Sequence, residues 1–203
     1  MNKIVLSLFL ISGLFAAENI NQKEIKENIL NTASLLDKKF NIDKKIILAY
    51  IKTESGFNLY PIAMKTNNPA IVYSLYKDLG YETKRHGKYV SVIPKNFEEA
   101  EFAYELMAQN KEILSVVDYD LGVMQINTRN IARYGIDEKE TYLNYKENML
   151  YGADIIRGCY ETLKNKTNIS NILECYNRGS DIKHLNNSDR SYLSKFLKNY
   201  KSL

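Results

Sequence analysis

The chain is 203 residues long, with 28 Lys and Arg against 24 Asp and Glu, 16 tyrosines and no tryptophan. A formal charge of only +4, with no basic run interleaved with aromatics, argues against nucleic acid as a partner. Two cysteines, Cys159 and Cys175, and two histidines, His86 and His184, show no metal-ligand spacing, which argues against a structural zinc.

The first 17 residues, MNKIVLSLFLISGLFAA, have the form of an export signal. Lys3 supplies the charge, residues 4–14 the short apolar core, and Ala16-Ala17 the small residues near which cleavage is expected. The run is short for a membrane span, and no cysteine follows it to carry a lipid anchor. The expectation is an exported protein with no integral membrane segment in its mature chain. The remaining chain, roughly 185 residues, is long enough for one buried core.

Ile25, Ile29, Ala33, Leu36 and Phe40 recur at helical spacing, which predicts an amphipathic helix over residues 21–40. Residues 18–42 are therefore read as an N-terminal helix packing on a domain that spans 43–203. Asp43 is the expected N-cap of the next helix, which runs through IILAYIKTE to about Ser55 and stops at Gly56. Asn68-Pro69 opens a further helix that Gly80 closes. YETKR and KYVSVI, on either side of His86-Gly87, predict a small β-hairpin. Asn96 with Glu99 forms a capping box for FEEAEFAYELMAQ. The stretch ILSVVDYDLGVMQIN reads as extended, with Asn127 capping a short helix that ends near Gly135. Helices over about 145–165, 169–176 and beyond Ser188 complete a mainly α chain with one small hairpin.

Glu54 lies on the stripe formed by Ile47, Tyr50 and Ile51, where an apolar residue would continue the pattern. An acid there is either the edge of a solvated surface or a carboxyl set beside apolar walls. Two further segments stand out with it: Asp120-Leu121-Gly122-Val123-Met124-Gln125-Ile126-Asn127, and Cys175-Tyr176-Asn177-Arg178-Gly179. In this order, the three resemble the motifs of the lytic transglycosylases of the soluble-transglycosylase (SLT) family, which is goose-lysozyme-like. The resemblance extends from about residue 43 to 195. Asn148 with Gly152, and Tyr192, match further family positions, while Cys175 replaces the usual alanine. The hairpin-helix segment at about 58–118 looks like an insertion similar to one in members associated with secretion systems.

The resemblance implies a lysozyme-like fold and a periplasmic enzyme that cuts the β-1,4 bond between N-acetylmuramic acid and N-acetylglucosamine in peptidoglycan. It implies 1,6-anhydromuramic ends, with Glu54 as acid and then base, and no cofactor. A proton donor near neutral pH needs a raised pKa, and partial desolvation at a helix end would raise that of Glu54. By resemblance, Ser55 holds the helix end and contacts sugar, Gln125 hydrogen-bonds substrate, and Met124 packs on a ring face. Tyr176 and Asn177 position the N-acetyl group, Tyr192 orients the carboxylate, and Gly122 permits a close approach. An envelope-spanning secretion or motility machine is the implied partner besides the glycan.

Plainer readings stand beside these. Met124 and Tyr176 are common core residues, Asn127 reads as a helix cap, and Asp118 and Asp120 read as loop acids. The two histidines read as solvated. Cys159 and Cys175 could pair in an oxidising compartment or sit as two buried thiols. The alternatives to a lytic transglycosylase are a lysozyme-like muramidase and a non-catalytic peptidoglycan-binding assembly protein.

Overall fold

A computed structural model describes residues 22–163, 168–178 and 187–203; the expected export signal and His184 lie outside them. Helix α1 (Gln22–Phe40) buries Ile29, Ala33 and Leu36 and packs on α2 (Lys44–Glu54) and α7 (Tyr145–Leu163). Asp43 caps α2, its Oδ1 accepting the N–H of Lys45 at 2.8 Å. Ile47, Leu48, Tyr50 and Ile51 of α2 are all buried. Each such side chain contributes about 1.5–3 kcal/mol relative to exposure, so the helix that ends at Glu54 is anchored along its length.

The expected hairpin, β2 (Glu82–His86) with β3 (Tyr89–Ile93), proves to be one edge of a five-stranded antiparallel sheet. Its order is β2-β3-β1-β4-β5, with β1 (Ile62–Thr66), β4 (Val116–Leu121) and β5 (Ile126–Asn127). Asp118 and Asp120 are therefore strand residues of β4 and not loop acids. The register sets Ala63 opposite Asp120, Lys65 opposite both Asp118 and Tyr89, and Asp120 opposite Asn127. Successive strand side chains alternate between faces. Ile62, Met64, Val90, Val92, Tyr119 and Leu121 accordingly turn to one face and are buried. Ala63, Lys65, Tyr89, Asp118, Asp120 and Asn127 share the other.

Helices α3 (Pro69–Asp78) and α4 (Phe97–Gln109) are joined by the Tyr76 hydroxyl, which donates to the Ala103 carbonyl at 2.9 Å. Asn96 accepts the N–H of Glu99 at 2.8 Å, and the Glu99 carboxylate accepts the N–H of Lys95 at 2.9 Å. This is a capping box shifted by one residue on its return bond. Asn127 caps α5 (Thr128–Tyr134), which Gly135 ends in a left-handed conformation. Asp137 caps α6 (Glu138–Leu143), a helix not expected from the sequence. Two elements then close the site from the C-terminal side: α8 (Ile169–Arg178), packed on α7, and α9 (Asn187–Lys201), packed on α2. Cys159 of α7 and Cys175 of α8 are joined by a disulfide, with Cα atoms 5.8 Å apart.

Candidate active site

The end of α2 is gripped by α9. Tyr192, Lys195, Phe196 and Asn199 fall at i, i+3, i+4 and i+7, one face of that helix. Tyr192 donates its hydroxyl to Oε1 of Glu54, and the Lys195 ammonium donates to the Thr53 carbonyl. Asn199 donates to the Thr53 hydroxyl at 3.0 Å, and the Phe196 ring sits 5.0 Å from that of Tyr50. Burial pushes Glu54 up to about 7; the Tyr192 bond opposes the shift, the Asp120 charge adds to it, and Lys195 opposes it. A carboxyl near 7 is divided between its acid and base forms at neutral pH, as a group that must both give and take a proton requires. The same burial holds the Tyr192 phenol well above its ordinary value, so it remains a donor.

The chain leaves Glu54 through a tight turn. Ser55 returns its hydroxyl to the Ile51 carbonyl at 3.0 Å, and Gly56 and Phe57 both take positive φ, +62° and +70°. Asn58 holds the turn with its side-chain amide on the Ser55 carbonyl at 2.7 Å. A non-glycine residue at such φ costs about 1–2 kcal/mol. The turn is thus held against strain beside the carboxyl.

Across the cleft, the Gly122–Gln125 turn is locked from α7. Asn148 accepts the N–H of Met124 at 2.8 Å and donates to the Leu121 carbonyl at 2.9 Å. A Cβ on Gly122, whose φ is +77°, would lie 2.5 Å from Asn148 Nδ2; one on Gly152 would lie 2.7 Å from Met124 Cε. Gln125 donates to the carbonyls of Pro61 and Gly122 at 3.0 and 2.8 Å. Tyr176 donates to the Met124 carbonyl at 2.7 Å and brings its ring 4.7 Å from Tyr50.

These elements enclose a cleft of about 650 Å³. Glu54, Asp120, Gln125, Tyr176 and Asn177 line it, with the polar face of the sheet, α5, and the Cys159–Cys175 disulfide. Asn127 organises the acids: its amide donates to Asp118 at 3.0 Å and to Asp120 at 2.8 Å. Asp118 also accepts from Thr128 at 2.8 Å, from Arg129 at 3.0 Å and from its neighbour's N–H at 3.0 Å. Burial works to raise Asp118, but the Thr128 and Asn127 bonds and the Arg129 charge outweigh it and hold the carboxyl below its ordinary value. Asp120, with Asn127 its one hydrogen-bond donor among the described residues, is pushed by burial up to about 6.

The sequence model of the transglycosylase SLT domain family matches residues 32–198. The chain belongs to that family. Its domains are of the lytic transglycosylase type, which cleaves peptidoglycan. No curated protein and no solved structure matches the chain significantly. Among the described residues, no helix is long and apolar enough to cross a membrane.

Within this SLT domain, Glu54, Gln125, Tyr176 and Asn177 come together on the cleft, and Tyr192 reaches it through Glu54. Met124 and Ser55, expected to contact substrate, serve the frame instead. Met124 is wholly buried against Gly152, so it presents no face to a sugar ring. The Ser55 hydroxyl is buried and committed to its own helix. The space that Gly122 leaves free is filled by Asn148. Sequence reading missed Lys195, Asn199 and Asn127 as parts of the site. Asn127 was legible only as a cap, since its second role depends on strand pairing with Asp120.

Proposed function

We propose that this SLT domain protein is a peptidoglycan lytic transglycosylase acting in the periplasm, with Glu54 as its acid and base. Glu54 carries the reading: its carboxyl is held by Tyr192 in a polar cleft and pushed by burial up to about 7. In the first step, protonated Glu54 gives its proton to the bridging oxygen as the bond from C1 of muramic acid to O4 of N-acetylglucosamine breaks. The glucosamine leaves with a free 4-hydroxyl. In the second, the sugar's own C6 hydroxyl attacks C1, and the Glu54 carboxylate takes that hydroxyl's proton. The O6–C1 bond replaces the C1–O4 bond, Glu54 regains its proton, and no water is consumed. An internal nucleophile carries a high effective concentration, so one carboxyl suffices. Tyr192 keeps the carboxyl aimed, while Tyr176 and Asn177 hold the N-acetyl group. The 58–118 segment, resembling that of secretion-associated members, supports service to an envelope-spanning machine.

A second reading has its own support. Asp120 shares the cleft with Glu54 and has only one hydrogen-bond donor among the described residues. Two carboxyls of unequal environment are what a muramidase needs, one as acid and one to activate water or stabilise charge. Cleavage in water enriched in oxygen-18 separates the two readings. A transglycosylase leaves the new muramic end unlabelled, and a hydrolase places one labelled oxygen on it.

A further inference from the structure

Away from Glu54 the cleft changes sign. Asp120 and Asp118 stand two residues apart on β4, about 7 Å along the strand. At the level of Asp118, the facing strands bring Lys65 and then Tyr89, and α5 adds Arg129 and Arg133 to the same cavity wall. Among the described residues, three cations thus line this end against one carboxylate, Asp118, which is already saturated by its own donors. Arg129 touches Asp118 yet leaves 81 % of its side chain exposed. Lys65 and Arg133 have no carboxylate within ion-pair distance among the described residues. Tyr89 is half exposed, and the Lys65 ammonium lies 6.0 Å from its ring centre.

The sugar rings of a glycan strand are uncharged, so they give no use for three cations. In an intact strand the lactyl carboxyl of muramic acid is tied up in the amide that carries the peptide stem. The free carboxylates belong to the stem and lie several atoms from the ring, as the cations lie about two strand residues from Asp120. A guanidinium is suited to such carboxylates, since it can donate two parallel hydrogen bonds. We propose that Lys65, Arg129 and Arg133, with Tyr89 beside them, form a subsite for the carboxylates of the peptide stem. The protein then selects stem-bearing over stripped glycan. The identity of the ligand rests on the peptidoglycan reading of the cleft.

Affinity of the Glu54→Gln protein for soluble glycan strands tests this without cleavage. Three ligands are compared: stem-bearing strands, strands stripped by an amidase, which uncovers the lactyl carboxylate, and neutral chitooligosaccharide. The expected result is binding of stem-bearing strands tighter than either other ligand by on the order of tenfold, about one charge-assisted contact. Adding Arg133→Gln should remove the difference, and adding Arg133→Lys should recover part of it. Raised salt should shrink it. Equal affinity for all three ligands would overturn the subsite, as would an Arg133→Gln loss equal on all of them. Preference for stripped strands over stem-bearing ones would assign the cations to the lactyl carboxylate and would also overturn it. Cleavage by the unmodified protein is scored separately: a stem preference without cleavage would fail the transglycosylase reading and leave the subsite standing.

Discussion

Tyr192 donates its hydroxyl to Glu54 across 138 residues of chain, from the middle of α9 to the last residue of α2. The bond favours the ionised carboxyl while burial favours the neutral one, and burial wins, leaving Glu54 at about 7. Two helices far apart in sequence thus set the protonation state of one side chain.

Replacing Tyr192 by Phe removes the group that lowers Glu54 and leaves the burial. In the proposed mechanism Glu54 carries a proton to start the reaction, so kcat/KM should fall as pH rises through about 7. In Tyr192→Phe that descending limb should move to higher pH, with kcat lower by about tenfold from lost aim and KM little changed. A pH–rate profile on soluble glycan checks this. An unmoved limb would show that the bond does not tune the carboxyl.

Glu54 also links stability to pH. Its folded pKa, about 7, lies above the ordinary unfolded value of about 4.3. The stability gained from a neutral Glu54 is complete below the unfolded value and is lost as pH rises through the folded one. Glu54→Gln should therefore be more stable than the parent at pH 8 by about 2 kcal/mol, allowing for the carboxyl's opening to the cleft. The difference should fade toward pH 4. Urea unfolding at the two pH values measures it, and an equal difference at both would refute the linkage.

The disulfide closes a loop with a sequence separation of 16, and a loop of that size contributes about 3 kcal/mol. The double variant Cys159→Ser, Cys175→Ser should lose about that much in denaturant unfolding. Its activity should fall further than its folded fraction, because Tyr176 and Asn177 follow Cys175 directly. A reductant titration of the parent protein should reproduce both losses.

Gly122→Ala places a methyl 2.5 Å from Asn148 Nδ2 at a φ of +77°, and Gly152→Ala places one 2.7 Å from Met124 Cε. Overpacking of this kind costs about 1–3 kcal/mol. The Gly122 change should sit at the high end, because its backbone strain cannot relax. Thermal unfolding of the two variants ranks them.

Much of this frame was legible locally. Asp43, Asn96 and Asn127 each cap the helix their positions predict, because a cap is a bond between near neighbours. Strand β1 was not legible. Its five residues alternate buried Ile62, Met64 and Thr66 with partly exposed Ala63 and Lys65, but so short a run is ambiguous until its partners are known. Those partners include β4, where Ile62 faces Leu121. For the same reason Asp118 and Asp120 read as loop acids: strand pairing alone turns them to the cleft. Met124 shows the converse, since a motif places it in the groove while Gly152 on α7 makes the room that buries it.

In the proposed reaction Glu54 drives cleavage and the sugar supplies its own nucleophile. Mass spectrometry of the soluble fragments released from purified peptidoglycan, by the parent protein and by Glu54→Gln, tests it most directly. Anhydromuropeptides from the parent that vanish with Glu54→Gln are the predicted result. Anhydromuropeptides that persist with Glu54→Gln, or parent fragments bearing only reducing ends, would contradict it.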